Sequence, residues 1–276
     1  MYKILPLLLL FVINQPLRAQ NEPFIAKRTD FPIGETIEFQ STILNEKRIV
    51  NIYLPNGYHP DSLKKYPVIY LLDGSVDEDF IHISGLVQFG SFSWINMLPE
   101  TIVVGIANVD RRRDFTYPTN NKKDKADFPT TGGSEKFIAF LEQELQPFVE
   151  KTYKTDLPRT IIGQSLGGLL ATEILFKKPD LFDHYLIVSP SLWWDDQSLL
   201  KYPPKAFSTP KAIYIGVGKE GRVMERDAKA LYKKLKKSRL ESTKLFFNFF
   251  KKQNHGDALH LAAYDGFEKI YRKAKK

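Results

Sequence analysis

The feature that most restricts the fold is Gly163-Gln164-Ser165-Leu166-Gly167-Gly168, set between the apolar run Thr160-Ile161-Ile162 and an apolar helical stretch from Leu166 to Phe176. A strand that turns directly into a helix needs small residues on both sides of the turn, because the flanking backbones approach closely. This turn holds Ser165 in a strained conformation and exposes its hydroxyl. It also points the next amide, Leu166 N–H, toward an oxyanion developing on a bound carbonyl. The N-terminus of the helix adds a partial positive charge at the same place.

The flanking sequence repeats this alternation. Short, continuously apolar runs at Pro67–Asp73, Thr101–Ala107, Tyr185–Val188 and Ala212–Val217 read as buried parallel strands, and Lys244–Phe250 as an aromatic one. Helical spacing recurs over Phe80–Phe89, Glu135–Lys151, Arg226–Arg239 and Leu259–Lys273. Thr36–Leu44 and Arg48–Leu54, joined at Asn45-Glu46-Lys47, read as an antiparallel opening. The polar stretch from Asn108 to Gly133 reads as a long loop. The expected fold class is α/β, one mostly parallel sheet with helices on both faces.

Composition removes several functional classes. The chain of 276 residues contains no cysteine, which excludes a disulfide scaffold, a thiol nucleophile and cysteine-ligated zinc. No His-Glu-x-x-His or Walker lysine motif is present, so neither cofactor nor metal is expected. Lys3 followed by the apolar Ile4–Ile13 and then Leu17-Arg18-Ala19 reads as a secretory signal cleaved after Ala19. That leaves residues 20–276 as one domain, secreted or periplasmic. Ten apolar residues are too few for a membrane span, and no later run approaches one. Forty basic residues against 32 acidic ones would suit a nucleic-acid partner. However, the excess sits on Lys229, Lys233, Lys234, Lys236, Lys237 and Arg239 and at the C-terminus, the pattern of a solvated helix face, and no nucleic-acid motif accompanies it.

A serine nucleophile needs a base, and in this arrangement the order along the chain is serine, acid, histidine. His184, His255 and His260 follow Ser165. His184 opens a strand and His260 falls inside the last helix, as a packing residue. His255, in Gln253-Asn254-His255-Gly256-Asp257, follows the last strand and is the expected base. Glu220, just after Ala212–Val217, is the expected acid; Glu225, Asp227, Asp195 and Asp196 are alternatives. Gly216-Val217-Gly218-Lys219-Glu220-Gly221 also spells a dinucleotide fingerprint, so an NAD-dependent oxidoreductase stays open beside the hydrolase. So does a non-catalytic binding module on the same fold.

Several stretches together resemble the esterase D-like branch of the α/β-hydrolases, over roughly residues 39–271. They are Tyr66 to Gly74, Ile102 to Ile106, Arg113-Asp114, Gly163 to Gly168, Ser189-Pro190-Ser191-Leu192-Trp193-Trp194 and Asn254-His255-Gly256. In motifs the chain is most similar to bacterial siderophore-type esterases. The resemblance implies a serine carboxylic-ester hydrolase, working through an acyl-enzyme on a small-molecule or glycan-linked ester. It also implies that the backbone of Ser75 joins Leu166 in the oxyanion hole and that the Gln164 side chain points away. Trp193 and Trp194 are expected in a substrate pocket or, equally, in plain core packing, and Arg113 at a substrate carboxylate or as an anchor of its loop.

Overall fold

The computed structural model describes residues 27–207, 209–238 and 241–271, and the chain from Ile33 on forms one compact unit. The leader expected over residues 1–19 lies outside the described residues, as do Arg239 and the basic residues after Tyr271. Eight strands form a single sheet: β1 (Glu35–Ser41), β2 (Glu46–Tyr53), β3 (Tyr66–Leu72), β4 (Ile102–Ile106), β5 (Thr155–Gln164), β6 (His184–Val188), β7 (Ala212–Gly218) and β8 (Lys244–Phe250). Their spatial order is β1-β2-β4-β3-β5-β6-β7-β8. β1–β2 and β2–β4 pair antiparallel and every later neighbour pairs parallel. The expected α/β class is therefore the observed one, with the antiparallel opening at one edge.

Burial follows the sequence pattern. β4 and β7 are buried along their whole length, as unbroken apolar runs require when helices cover both faces. Helix α1 (Phe80–Ser91) lies on one face. Next come α2 (Arg111–Phe115) and α3 (Lys122–Asp127), then α4 (Ser134–Phe140), a π-helical turn over Leu141–Leu145, and α5 (Gln146–Thr152). α6 (Leu166–Lys177), α7 (Trp194–Lys201), α8 (Arg222–Ser238) and α9 (Ala258–Tyr271) complete the set. α1 and α9 share one apolar layer, with Ile83, Val87, Ala262 and Phe267 against Ile69, Val103 and Leu186. α4 through α6 and α8 share the other. α6 is buried from Leu166 to Phe176, so the turn before it is held on the central helix of the molecule.

Two local expectations change. The first hairpin turns over residues 42–45, where Glu144 receives the amides of Thr42 and Ile43, and not at Asn45–Lys47. The stretch 108–133 is not structureless: Asp110 caps α2 and Asn121 caps α3 through side-chain oxygens. This stretch is anchored by a buried ion cluster. Arg48, fully buried, donates to Asp114 at 2.7 Å and to Glu46 at 2.7 Å, and its guanidinium lies 5.2 Å from the Phe137 ring. Arg113 completes the cluster with Glu46 at 2.6 Å and Asp114 at 2.7 Å. Charges buried this deeply persist only when paired.

Candidate active site

The parallel strands direct their C-terminal ends to one edge of the sheet, the usual location of sites in such folds. Ser165 leaves β5 there with φ 58° and ψ −118°, a strained conformation for a residue other than glycine. The surrounding glycines make this turn possible. A Cβ on Gly163 would lie 2.3 Å from the Gly167 carbonyl oxygen, and one on Gly168 would lie 2.9 Å from that of Val188. The turn is closed by Ser165 N donating to Val188 O at 3.1 Å and by Leu169 N and Ser191 N donating to Ser165 O. Ser165 Oγ lies 3.3 Å from Ser191 Oγ.

Glu220 and His255 meet at this edge from β7 and β8. Nδ1 of His255 lies 2.6 Å from Glu220 Oε2; the imidazole is 46% exposed and the carboxylate 1%. The other carboxylate oxygen accepts from Gly218 N at 2.8 Å and from Ser189 Oγ. Burial alone would raise the Glu220 carboxyl, but hydrogen bonds from His255, Ser189 and Gly218 outweigh it and hold the group below the usual carboxylate range. Glu220 is therefore ionised and aimed at the imidazole. The G-x-G-x-x-G segment serves this purpose: a Cβ on Gly218 would lie 2.7 Å from Gln253 O, so its absence lets the histidine loop close against β7.

Ser165, Glu220 and His255 line a common open cleft of about 610 Å³, with Ser191, Trp193 and Met224 on its walls. The remaining sequence candidates are placed as follows. Trp193 is half-buried on the cleft wall, whereas Trp194 is fully buried and donates Nε1–H to Tyr117 O at 2.9 Å, so it belongs to the core and not to the pocket. Arg113 sits in the ion cluster with Glu46 and Asp114, as a loop anchor and not a pocket residue. Ser75 lies half-buried between β3 and α1, its carbonyl accepting from Glu78 N at 3.1 Å. Leu166 is the buried first residue of α6. The alternative acids point elsewhere: Asp195 accepts from Thr119 and Asn120, Asp196 from Asn121, Glu225 from Gly221 N, and Asp227 pairs with Arg226. His260 is exposed and stacks on His82, rather than packing inside. His184 lies at the opposite end of the sheet.

Sequence reasoning missed two residues. Gln164 does not point away: its side-chain amide donates to His255 O at 2.5 Å. Arg111 pairs with both oxygens of Asp73, at 2.6 and 2.9 Å, and donates to Gln164 O at 3.2 Å. Asp73, with φ 55°, directly follows β3, so this clamp ties the Asp73-Gly74-Ser75 segment to the Ser165 turn. The Arg-Arg-Arg-Asp run was visible in the sequence, but which arginine reached the site was not.

Residues 41–263 match the family described as "Putative esterase". The chain belongs to that family, on an α/β-hydrolase fold. It is similar to the ferri-bacillibactin esterase BesA of Bacillus subtilis (strain 168), 36% identical over 169 residues, or 57% of this chain and 58% of that protein. The match thus spans less than two thirds of that relative. Among solved structures it is similar to an IroE-like serine hydrolase from Shewanella oneidensis, 29% identical with a TM-score of 0.77, covering 85% of this chain and 79% of that one. It is also similar to the BES protein from Bacillus cereus, 27% identical with a TM-score of 0.79, covering 92% and 100%. Among the described residues no group of three metal-ligating side chains occurs, and no helix is long and apolar enough to cross a membrane.

Proposed function

We propose that this chain is an exported serine carboxylic-ester hydrolase that cleaves siderophore esters through an acyl-enzyme intermediate. The observation that carries the reading is the buried Glu220 carboxylate 2.6 Å from His255 Nδ1, in one cleft with a strained Ser165. With Nδ1 protonated and donating to Glu220, Nε2 is the free acceptor. Ser165 Oγ attacks the ester carbonyl carbon and its proton passes to His255 Nε2. The negative charge moves to the carbonyl oxygen, toward the Leu166 amide and, by the family pattern, the Ser75 amide. Collapse of this intermediate breaks the carbon–oxygen bond, and His255 returns the proton to the departing alcohol. Water then attacks the acyl carbon, His255 takes a proton from it, and the acid leaves as Ser165 Oγ is reprotonated.

Support for the substrate class comes from the relative named for ferri-bacillibactin and from the half-buried Trp193 on the cleft wall, a flat surface for an aromatic acyl group. Support for export comes from the Lys3 to Ala19 pattern. The test is hydrolysis of a triscatecholate trilactone against a feruloylated glycan, with wild type and Ser165→Ala. Product from the trilactone by wild type alone is expected. Turnover of the glycan alone would replace the substrate class, and equal turnover by Ser165→Ala would remove the nucleophile.

A further inference from the structure

We infer that Gln164 is a positioning residue that fixes the base relative to the nucleophile. His255 hangs on the loop after β8, the last strand of the sheet, whereas Ser165 leaves β5 near its centre. Two strands, β6 and β7, lie between them. The contact with Glu220 holds one nitrogen of the half-exposed imidazole and leaves the main chain of His255 to be held by other contacts. The Gln164 side chain supplies a second anchor, donating to the main-chain carbonyl of His255 itself. The residue that holds the base is thus the one that precedes the nucleophile, and the spacing of the pair is set across one peptide unit.

The neighbouring geometry agrees with this assignment. The adjoining loop is tied by Lys219 N to Gln253 O at 2.6 Å and by Asn254 N to Asp257 Oδ1 at 2.6 Å, so hydrogen bonds hold the segment on either side of His255. The carbonyl of Gln164 accepts from Arg111, whose guanidinium also grips Asp73 ahead of Ser75. Residue 164 therefore stands where the nucleophile turn, the base loop and the β3–α1 segment join. Its amide is needed there as a donor, a role that an apolar or ionised side chain of equal length cannot fill.

The inference rests on the proposed roles of Ser165 and His255, and the experiment separates the two. Wild type, Gln164→Leu, Gln164→Glu and Gln164→His are compared for kcat, KM, melting temperature and the rate of Ser165 labelling by a fluorophosphonate. Removing the donor is expected to lower kcat about 10- to 100-fold and to slow labelling in proportion, the size of effect a small misplacement of a reacting group produces. KM stays within about twofold, since no substrate contact is lost. Melting temperature stays at the wild-type value, and Gln164→His, which keeps a donor, recovers most of the rate. Wild-type kcat in Gln164→Leu, or an equal loss in Gln164→His, overturns the inference. Absence of labelling at Ser165 in the wild type would instead overturn the reading of the site.

Discussion

The two ends of the parallel sheet use the same strands for opposite purposes. At the C-terminal end, β3, β5 and β6 are each left through a non-glycine residue with positive φ: Asp73 at 55°, Ser165 at 58° and Ser189 at 44°. Such conformations cost roughly 1–3 kcal/mol each and persist only where their surroundings hold them. Here each of the three is gripped, Asp73 by Arg111, Ser189 by Glu220 and Ser165 by the backbone of Val188 and Ser191. The N-terminal end has ample space. A hollow of about 950 Å³ lies beside His184, and one of about 480 Å³ lies beside Tyr70 and Arg159. Yet Tyr70 Oη, Arg159 Nε and His184 Nδ1 find no hydrogen-bond partner among the described residues. Volume alone does not distinguish the two ends; strained backbone gripped by converging polar groups sets the proposed site apart.

The strongest test of this contrast is chemical. Ser165→Ala should lower kcat/KM by about 10⁴-fold or more, measured on an activated ester, with little change in melting temperature. Glu220→Gln, nearly isosteric, should lower kcat by about 10²- to 10⁴-fold, because the imidazole loses the anion that orients it. The paired tryptophans sharpen the comparison at neighbouring positions. Trp194→Ala should cost about 3–5 kcal/mol in denaturant unfolding, as a fully buried side chain is removed. Trp193→Ala, which removes a half-buried ring beside Phe128 and Trp194, should cost less stability than Trp194→Ala and raise KM for aromatic acyl esters.

The N-terminal end should respond in stability and not in turnover. Burial pushes His184 down to about 4 from an ordinary 6.5, so the unfolded chain binds the proton more tightly. Stability should therefore fall as pH drops from about 6.5 toward 4, and His184→Asn should flatten that part of the melting curve against pH. Tyr70→Phe, the mildest change, should leave kcat within twofold. A large loss of turnover there would break the division between the two ends.

The apolar runs were enough to place six of the eight strands within about two residues, because buried parallel strands cannot tolerate polar interruptions, whereas β1 stopped at Ser41, three residues before the expected Leu44. Only β5 began well before its apolar core, at Thr155. The small residues around Ser165 were readable for a similar reason, since each excludes a Cβ from an occupied position. The first turn and the short helices α2 and α3 were not readable, because they depend on carboxylates and amides supplied locally or from distant segments, such as Glu144.

Ser165, His255 and Glu220 could each be chosen from one chain, by residue type and by position after a strand. The sequence by itself therefore determined which residue types the proposed site could use and their order along the chain. Which tryptophan faces the cleft, which arginine clamps the turn and whether Gln164 reaches the base were decided only by tertiary structure. Adjacent residues there point to opposite environments, and each partner arrives from a segment 38 to 91 residues away.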